Sequence, residues 1–460
     1  MKIKKNDIIE LEITDITNLG FGVGKHSGIV VFISDAVPGD IVTAKIIKAT
    51  SSYLVGRVEK YIKKSELRVA DRCKNERCRS CAYKSLSYGY ELKLKEEMVK
   101  AAFVKAGLSD IEIKAVTPSP LELEYRNKAQ YPVKLGAGGE YQIGFYAPKS
   151  HNVCEAADCP LSHPAFESIL NTLRGFFKKH GISTYDEASG RGLLRHIYLR
   201  RAEETGEILL TLVVTDDKLE ETEDLVKTVT KAHPEIVGIL LNVNSENTNI
   251  ILGERFITLF GRDYIEDTLA GVKLQISAPS FYQVNHGTAE LIYKRARALA
   301  ELRKSDTLLD LYCGAGSIGL SMAEDAGELI GIEIVPEAVE CATLNAVTNG
   351  VKNAKFYTGD ATETEKLLSA AEADLGKVIR PDVIVLDPPR GGCSEELLRF
   401  VDKLTPRRIV YISCNPTTLA RDVKILKNRG FACSAVEPFD MFPMTGHVES
   451  VVCLTRRLDN

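Results

Sequence analysis

The chain has 460 residues, of which 44% are hydrophobic and 27% charged, and its net charge is -4. This length exceeds one ordinary hydrophobic core and the composition excludes a disordered protein, so we expect several globular domains. The charge argues against general coating of nucleic acids but not against local binding, because residues 60–84 carry nine Lys or Arg against three Asp or Glu.

The N-terminal sequence MKIKKNDIIELEI is basic but leads directly into a strand-like alternation that contains acids. It lacks the apolar core and cleavage site of a signal peptide, and the chain has no run of about 18 apolar residues. We therefore expect a cytoplasmic protein with no membrane association, and no obligate protein partner is evident. In the cytoplasm the eleven cysteines are expected to be ligands, nucleophiles or buried hydrophobic residues rather than disulfides.

Residues 1–60 contain short β-branched segments separated by glycines and by Pro38-Gly39: ELEITDI, GIVVFI, DIVTAKII and YLVGRVEKYI. Several short strands in so few residues predict a small OB-like barrel, whose curved strand face can bind single-stranded RNA. The alternative is that the aromatic and basic residues of this region only pack or solvate the barrel.

Residues 61–270 predict a central β-rich domain. It begins with the basic, cysteine-containing segment, continues with a helix near residues 88–106, and then has strands such as KAQYPVKL, YQIGFYA and EILLTLVV. In residues 271–460 strands alternate with helices, which is typical of a Rossmann-like parallel sheet. The predicted fold class is therefore α/β, with an N-terminal barrel and a β-rich central domain.

A glycine loop follows the first strand of this last region. The sequence from Gly314 to Gly319 fits G-x-G-x-x-G ahead of a helix, and Glu333 ends the next strand, where a carboxylate can accept hydrogen bonds from ribose hydroxyls. The glycine pattern alone would also suit NAD. S-adenosylmethionine is favoured because the loop opens at the acidic Asp310 with no basic group for a pyrophosphate, and because Asp360 ends the third strand, where it could bind an adenine amino group.

The fourth strand ends at Asp387-Pro388-Pro389-Arg390. Enzymes that methylate exocyclic amines often carry a similar Asp/Asn-Pro-Pro followed by an aromatic residue that stacks on the base. The arginine in that place counts against amine chemistry, and Asp387 could instead bind the uracil imide edge or the cofactor.

The fifth strand ends at Cys414, directly before the helix TTLARDVKIL. We expect the positive end of that helix to lower the pKa of the thiol. A thiolate is what methylation of uracil C5 requires, because attack on C6 makes C5 electron-rich, and a base must afterwards remove the C5 proton. The best candidate for that base is Glu449, in the run from Gly446 to Ser450.

Taken together, these residues resemble the bacterial RNA uracil-C5 methyltransferases, in particular those of 23S ribosomal RNA. The likeness covers nearly the whole chain, including an N-terminal module that looks like the RNA-binding TRAM domain. Its motifs occur in order as Phe281-Tyr-Gln-Val-Asn285, Asp310-Leu-Tyr-Cys-Gly-Ala-Gly316, Asp387-Pro-Pro-Arg390, Ser413-Cys-Asn-Pro416 and His447-Val-Glu449.

The resemblance implies a role for each matching position. Cys414 corresponds to the nucleophile and Glu449 to the general base of the family. Contacts to S-adenosylmethionine are implied for Gln283, Tyr312, Glu333 and Asp387, and we add Gly314 and Asp360 from the loop pattern.

The resemblance also concerns the cysteines of the basic segment. Cys73, Cys78 and Cys81 form C-x4-C-x2-C, and members of the family bind a [4Fe-4S] cluster through such a trio and a later cysteine, for which Cys159 fits better than Cys154. On chemistry alone four thiolates suit zinc as well. The spacing between Cys73 and Cys78 is one residue shorter than is usual in the family. A structural or RNA-orienting cluster is the expectation.

Three other functions remain open at this stage. The same reaction on transfer RNA is the nearest, although the strand module and the cysteines favour ribosomal RNA. An RNA-binding or assembly factor with a vestigial site is disfavoured by the intact Cys414 and Glu449. An amine methyltransferase is disfavoured by Arg390.

Overall fold

The computed structural model describes residues 3–75, 77–156 and 158–457. The outer ends of the predicted regions 1–60 and 271–460, at residues 1–2 and 458–460, lie outside this range. Three β-structures follow one another along the chain: a closed barrel, a seven-stranded sheet and an eight-stranded sheet, with a two-stranded ribbon between the last two. The mixed α/β class with an N-terminal barrel, predicted from the sequence, is confirmed.

The barrel has the strand order β1-β2-β3-β5-β4. Its strands are β1 (Ile8–Ile16), β2 (Phe21–His26), β3 (Ile29–Ser34), β4 (Ile41–Ala49) and β5 (Tyr53–Lys63). Gly22 and Gly24 were expected to separate strands as turn residues, but both lie within β2. They are needed there because a Cβ at Gly22 would lie 2.6 Å from the Ala36 carbonyl oxygen, and a Cβ at Gly24 would lie 2.4 Å from that of Glu12.

The seven-stranded central sheet has the order β13-β12-β11-β10-β7-β8-β9, and only the β11–β12 pair is parallel. Its strands are β7 (Lys128–Leu135), β8 (Tyr141–Tyr146), β9 (Val153–Glu155), β10 (Leu194–Arg201), β11 (Ile208–Val214), β12 (Ile236–Val243) and β13 (Arg255–Gly261). Helices α2 (Pro164–His180) and α3 (Thr222–Ala232) pack on one face of it, while Tyr198 on the other face joins the core of the C-terminal region. The ribbon β14 (Tyr264–Leu269) and β15 (Val272–Ser277) follows.

The eight-stranded sheet has the order β18-β17-β16-β19-β20-β22-β21-β6. The five strands from β18 to β20 are parallel, and β22 is antiparallel to both of its neighbours. The strands are β16 (Thr307–Leu311), β17 (Glu328–Glu333), β18 (Ala354–Thr358), β19 (Val383–Leu386), β20 (Arg408–Ser413), β21 (Phe431–Phe439), β22 (Glu449–Arg456) and, at one edge, β6 (Glu112–Ile113). The helices of this region are α4 (His286–Ala300), α5 (Ser317–Met322), α6 (Pro336–Thr348), α7 (Thr364–Leu375), α8 (Glu395–Lys403) and α9 (Pro416–Lys427), with a 3₁₀ turn at Ala361–Glu363.

One helix precedes the central sheet in sequence but packs on the C-terminal one. This helix, α1 (Tyr88–Ala106), contacts α9, and β6 extends the eight-stranded sheet beside β21. Residues 88–113 therefore support the C-terminal sheet although they lie within the predicted central region. None of the helices in the described part of the chain is long and apolar enough to cross a membrane.

A buried ion cluster ties α1 to the residues between β21 and β22. Lys95 Nζ donates to Glu91 Oε1 at 2.7 Å, to Asp440 Oδ1 at 2.6 Å and to the Phe442 carbonyl oxygen at 3.1 Å, and the three charged side chains are fully buried. Glu91 Oε1 also accepts the amide of Met444 at 2.7 Å. The cluster thereby fixes the segment 440–447, which leads into β22.

We expect Lys95→Met to destabilise the protein by about 3–5 kcal/mol, because it removes the cation closest to both buried carboxylates and leaves Glu91 only the longer ion pair with Arg72, at 3.6 Å. The midpoint of urea unfolding, followed by circular dichroism, measures the loss. Lys179→Met is the matched control, since Lys179 pairs with Asp224 on the surface and its side chain is 65% exposed. A Lys95→Met midpoint equal to that of Lys179→Met would contradict the assigned role.

Candidate active site

A cavity of about 780 Å³ opens at the carboxyl ends of the parallel strands. In such sheets the loops that follow neighbouring strands meet at one edge, which is where ligands bind. All eight residues predicted for catalysis and cofactor binding line this one cavity: Gln283, Tyr312, Gly314, Glu333, Asp360, Asp387, Cys414 and Glu449. The structure thus brings them together, whereas their individual roles remain predictions.

The glycine loop and the end of β17 are held together by one carboxylate. Glu333 accepts the amide of Gly314 and the amide of Val335, each at 3.0 Å. Gly316, the residue directly before α5, has φ +78°, the left-handed conformation that favours glycine. The backbone of the loop therefore lies directly at the cavity. The carboxylate of Glu333 still has lone pairs that can accept hydrogen bonds from hydroxyl groups of a ligand.

Buried carboxylates give the cavity an acidic character. Asp387 lines the cavity, whereas Asp310 lies in β16 beneath the glycine loop. Burial raises the pKa of Asp310 to about 8 and that of Asp387 to about 7. Asp310 Oδ2 accepts the amide of Gly319 at 2.9 Å, while its Oδ1 is buried without a hydrogen-bond partner among the described residues. A nearby cation favours the ionised form of such carboxyl groups, so the site fits a cationic ligand, and S-adenosylmethionine carries both a sulfonium and an ammonium group.

Cys414 lies at the end of β20, where α9 begins. The side chain of Asn415 caps this helix by accepting the amide of Thr417 at 3.0 Å, and Pro416 occupies its first position. The predicted lowering of the thiol pKa is wrong, since burial and the carboxylates of Glu449 and Asp387 raise this pKa to about 11. The sequence showed the helix but not the two carboxylates that other strands bring to the thiol.

Glu449 is the first residue of β22 and pairs with Phe439 of β21. Only 6% of its surface is exposed, so it is not the solvated strand-start residue that glutamates usually are. Burial and the neighbouring Asp387 raise its pKa well above the ordinary value, whereas Arg390 lowers it. A carboxyl group in this setting has a higher proton affinity than one in water.

The cavity is also lined by aromatic side chains to which the sequence motifs assign no role, and Phe442 and His447 are two of them. Phe442 and His447 line it, with ring centroids 6.0 Å apart in an edge-to-face arrangement. Both rings lie in the segment 440–447, which has no regular hydrophobic periodicity. The one signal in the sequence that could have indicated them is that they lie close to Glu449 in the chain.

A second, much smaller cavity of about 60 Å³ contains the four cysteines predicted as cluster ligands, Cys73, Cys78, Cys81 and Cys159. Cys154 instead lines a separate groove. Burial and the other thiols raise the pKa of Cys81 to about 12. Within the described ranges, no group of three or more His, Cys, Asp or Glu residues is arranged to hold a metal ion. The thiols therefore surround one cavity, but they are not arranged as a single metal ion requires.

The Rossmann-like sheet with its glycine loop, acidic cavity and attached barrel is that of an S-adenosylmethionine-dependent methyltransferase. The family model described as tRNA (Uracil-5-)-methyltransferase matches residues 196–457, and the TRAM domain model matches residues 3–58. Because the first match covers more than half of the chain, the protein belongs to the RNA uracil-5-methyltransferase family, as the sequence motifs predicted.

Individual relatives agree with this assignment. The chain is 39% identical to an uncharacterized RNA methyltransferase of Clostridium acetobutylicum, over 99% of this chain and 98% of the relative. It is also 39% identical to one of Halalkalibacterium halodurans, over 98% of both. Among solved structures, the Pyrococcus abyssi tRNA (uracil-54, C5)-methyltransferase in complex with S-adenosyl-L-homocysteine is 26% identical, with a TM-score of 0.78 over 97% of this chain and 100% of that one.

Proposed function

We propose that the protein forms 5-methyluridine in 23S ribosomal RNA, with Cys414 as the nucleophile that attacks uracil C6 and Glu449 as the base that removes the C5 proton. The observation that supports this most directly is the convergence of the two side chains. They come from strands β20 and β22, and they line the same cavity as the glycine loop and Asp387.

The reaction begins at the thiolate of Cys414. Its sulfur forms a bond to C6, and the electron pair of the C5–C6 double bond moves towards C4 and its oxygen, which makes C5 nucleophilic. S-adenosylmethionine supplies the methyl group that C5 takes. Glu449 then accepts the C5 proton, the electrons of that C–H bond restore the double bond, and the thiolate of Cys414 leaves.

The charges around the two groups suit these proton transfers. The raised pKa of Glu449 makes its carboxylate a stronger base than an exposed glutamate. The raised pKa of Cys414 keeps the free enzyme's thiol protonated at neutral pH, so that reactive thiolate forms mainly when positive charge is close. Arg390 already lowers the pKa of both groups, and a bound sulfonium cation would act in the same direction.

Glu333 is assigned to the ribose of the cofactor. We expect Glu333→Gln to weaken binding of S-adenosylhomocysteine by about 10- to 100-fold, since it loses charge-assisted hydrogen bonds both to the ligand and to the glycine loop. Isothermal titration calorimetry measures the change. Glu337→Gln, on the exposed first turn of α6, should bind as the wild type does. Equal affinities for the two variants would refute the assignment.

Transfer RNA is the alternative substrate to 23S ribosomal RNA. The barrel and the cysteine cluster led us to favour 23S RNA, but the P. abyssi enzyme named for uracil 54 of tRNA matches this chain along nearly its whole length. Nucleoside mapping of both RNAs from a strain that lacks the gene decides between them. Loss of 5-methyluridine from 23S RNA alone supports the proposal, and loss from tRNA alone refutes it.

We also propose that the four gathered thiols hold a [4Fe-4S] cluster with a structural role. Four cysteines around one cavity are the donor set that such a cluster needs, and the buried Arg126 beside them suits the negative charge of a thiolate-ligated centre. The methyl transfer has no redox step in which the cluster would take part.

Protein purified without oxygen is expected to be brown and to contain iron and acid-labile sulfide, as elemental analysis and visible absorption will show. Cys81→Ser should lose both, whereas Cys154→Ser, whose thiol lines the other groove, should keep them. Colourless wild-type protein containing zinc would overturn the assignment in favour of a tetrahedral zinc site.

A further inference from the structure

Two cations face each other across neighbouring strands of the central sheet. Lys128 of β7 is directly opposite Arg200 of β10, and two residues further on Gln130 is opposite Tyr198. Tyr198 packs in the core of the C-terminal region and donates to the Ala278 carbonyl oxygen at 2.9 Å. Since alternate residues of a strand share a face, Lys128 and Arg200 are on the face of the sheet that meets the C-terminal region.

The charge of this pair is not neutralised. One terminal nitrogen of Arg200 (Nη2) donates to the Ser280 carbonyl oxygen at 2.6 Å and to Tyr198 Oη at 2.8 Å. Its Nε and Nη1 are buried and have no hydrogen-bond partner among the described residues. In the part of the chain that the structure describes, the charged groups close to Lys128 are Arg200 and Arg126, both cations, and the hydrogen-bond partners of Arg200 include no carboxylate. Burial, Arg200 and Arg126 together lower the pKa of Lys128 to about 8.

This pair lies beside the wall of the catalytic cavity. The residue before Lys128, Asn127, donates its backbone amide to the Val284 carbonyl oxygen at 3.0 Å and its side-chain amide to that of Gln283 at 2.8 Å. Gln283 and Val284 both line the cavity, as does Phe281, which is 68% exposed. An RNA strand that delivers a base to Cys414 therefore passes close to Lys128.

We propose that Lys128 binds a backbone phosphate of the substrate RNA next to the target nucleotide, and that the buried Arg200 on the neighbouring strand adds positive charge. The inference rests on the proposed function, in which a uridine of RNA enters this cavity. Lys128 is partly exposed and can contact a phosphate, whereas Arg200 is only 1% exposed and acts through its charge. A phosphate supplies the counter-charge that the described protein groups do not, and such contacts fix the register of the strand without reading its bases.

Binding of a fluorescein-labelled RNA hairpin with uridines in its loop tests the proposal, when it is titrated at several potassium chloride concentrations. For Lys128→Gln we expect about 10-fold weaker binding at low salt and a salt dependence reduced by about one phosphate contact. Lys128→Arg should restore both. The matched control is Lys134→Gln, six residues further along β7 on the same face, which should keep the wild-type salt dependence.

Measurements of kcat and KM distinguish a failure of the phosphate site from a failure of the proposed function. At saturating RNA, Lys128→Gln should retain the wild-type kcat and show its defect in KM, because Lys128 does not touch the reacting atoms. If the salt dependence of Lys128→Gln equals that of the wild type, the phosphate site is refuted while the proposed function stands. If the wild-type protein methylates no RNA at all, the proposed function fails, whatever the salt dependence shows.

Discussion

Replacing Cys414 by alanine is expected to abolish methylation of RNA, with a loss of at least about 10⁴-fold in kcat. Without a sulfur that adds to C6, carbon 5 of uracil is too poor a nucleophile to take the methyl group. The measurement is the transfer of radiolabelled methyl from S-adenosylmethionine to RNA. Cys453→Ala is the matched control, because its thiol lies four residues beyond Glu449 in β22, does not line the cavity and donates to the Leu299 carbonyl oxygen. It should retain activity.

RNA with 5-fluorouridine at the target position tests the same assignment without relying on turnover. The C5 fluorine cannot be removed as a proton, so the wild type should accumulate a covalent complex that survives denaturing electrophoresis. Cys414→Ala should form none, and Cys453→Ala should form as much as the wild type. A covalent complex in Cys414→Ala would show that another group attacks the base.

Much of this site could be predicted because it depends on local sequence. The carboxyl ends of parallel strands meet at one edge, so motifs that directly follow β16, β17, β19 and β20 had to converge, as the residues Gly314, Glu333, Asp387 and Cys414 do. Gln283 precedes the glycine loop and was found only through the family resemblance. Its position depends on contacts such as the hydrogen bond from Asn127 to its carbonyl oxygen, which no local pattern reveals.

The rest depends on contacts between residues far apart in sequence. Phe442 and His447 line the cavity because Lys95 of α1 holds the segment 440–447 in place. Lys95 and its partner Asp440 are 345 positions apart in the sequence. The barrel also touches this segment, since a Cβ at Gly446 would lie 2.0 Å from the Asn18 carbonyl oxygen. Sequence periodicity describes single elements, so it could not show that the first and last parts of the chain meet here.

The direction of the Cys414 pKa was predicted wrongly for the same reason. A helix N-terminus is visible in the sequence, but the surroundings of the thiol are not. Glu449 and Asp387 come from other strands, and their negative charges together with burial outweigh the helix. For Cys414 to act as the proposed nucleophile, positive charge must therefore come close to the thiol, and a cationic cofactor has the sign that is required.

Replacing Glu449 by glutamine should separate the two halves of the reaction. Glutamine nearly matches the shape of glutamate but cannot accept the C5 proton, so methyl transfer should still occur while release of the product is blocked. We expect turnover to fall by about 10²- to 10⁴-fold. Unlike the wild type, the variant should accumulate a methylated covalent complex with RNA that contains ordinary uridine, seen as a labelled band on denaturing gels. Glu396→Gln, on the exposed side of α8, is the control and should behave as the wild type.

The double variant Cys414→Ala, Glu449→Gln identifies which bond holds that complex. Because Glu449 acts after attack, removal of Cys414 should prevent the complex altogether, so the double variant should match Cys414→Ala alone. The labelled RNA released from Glu449→Gln by protease should still carry the methyl group, since transfer precedes proton removal. If Glu449→Gln instead forms no complex even with 5-fluorouridine, the carboxylate is needed before the attack, and its place in the mechanism would move from the last proton transfer to the activation of Cys414.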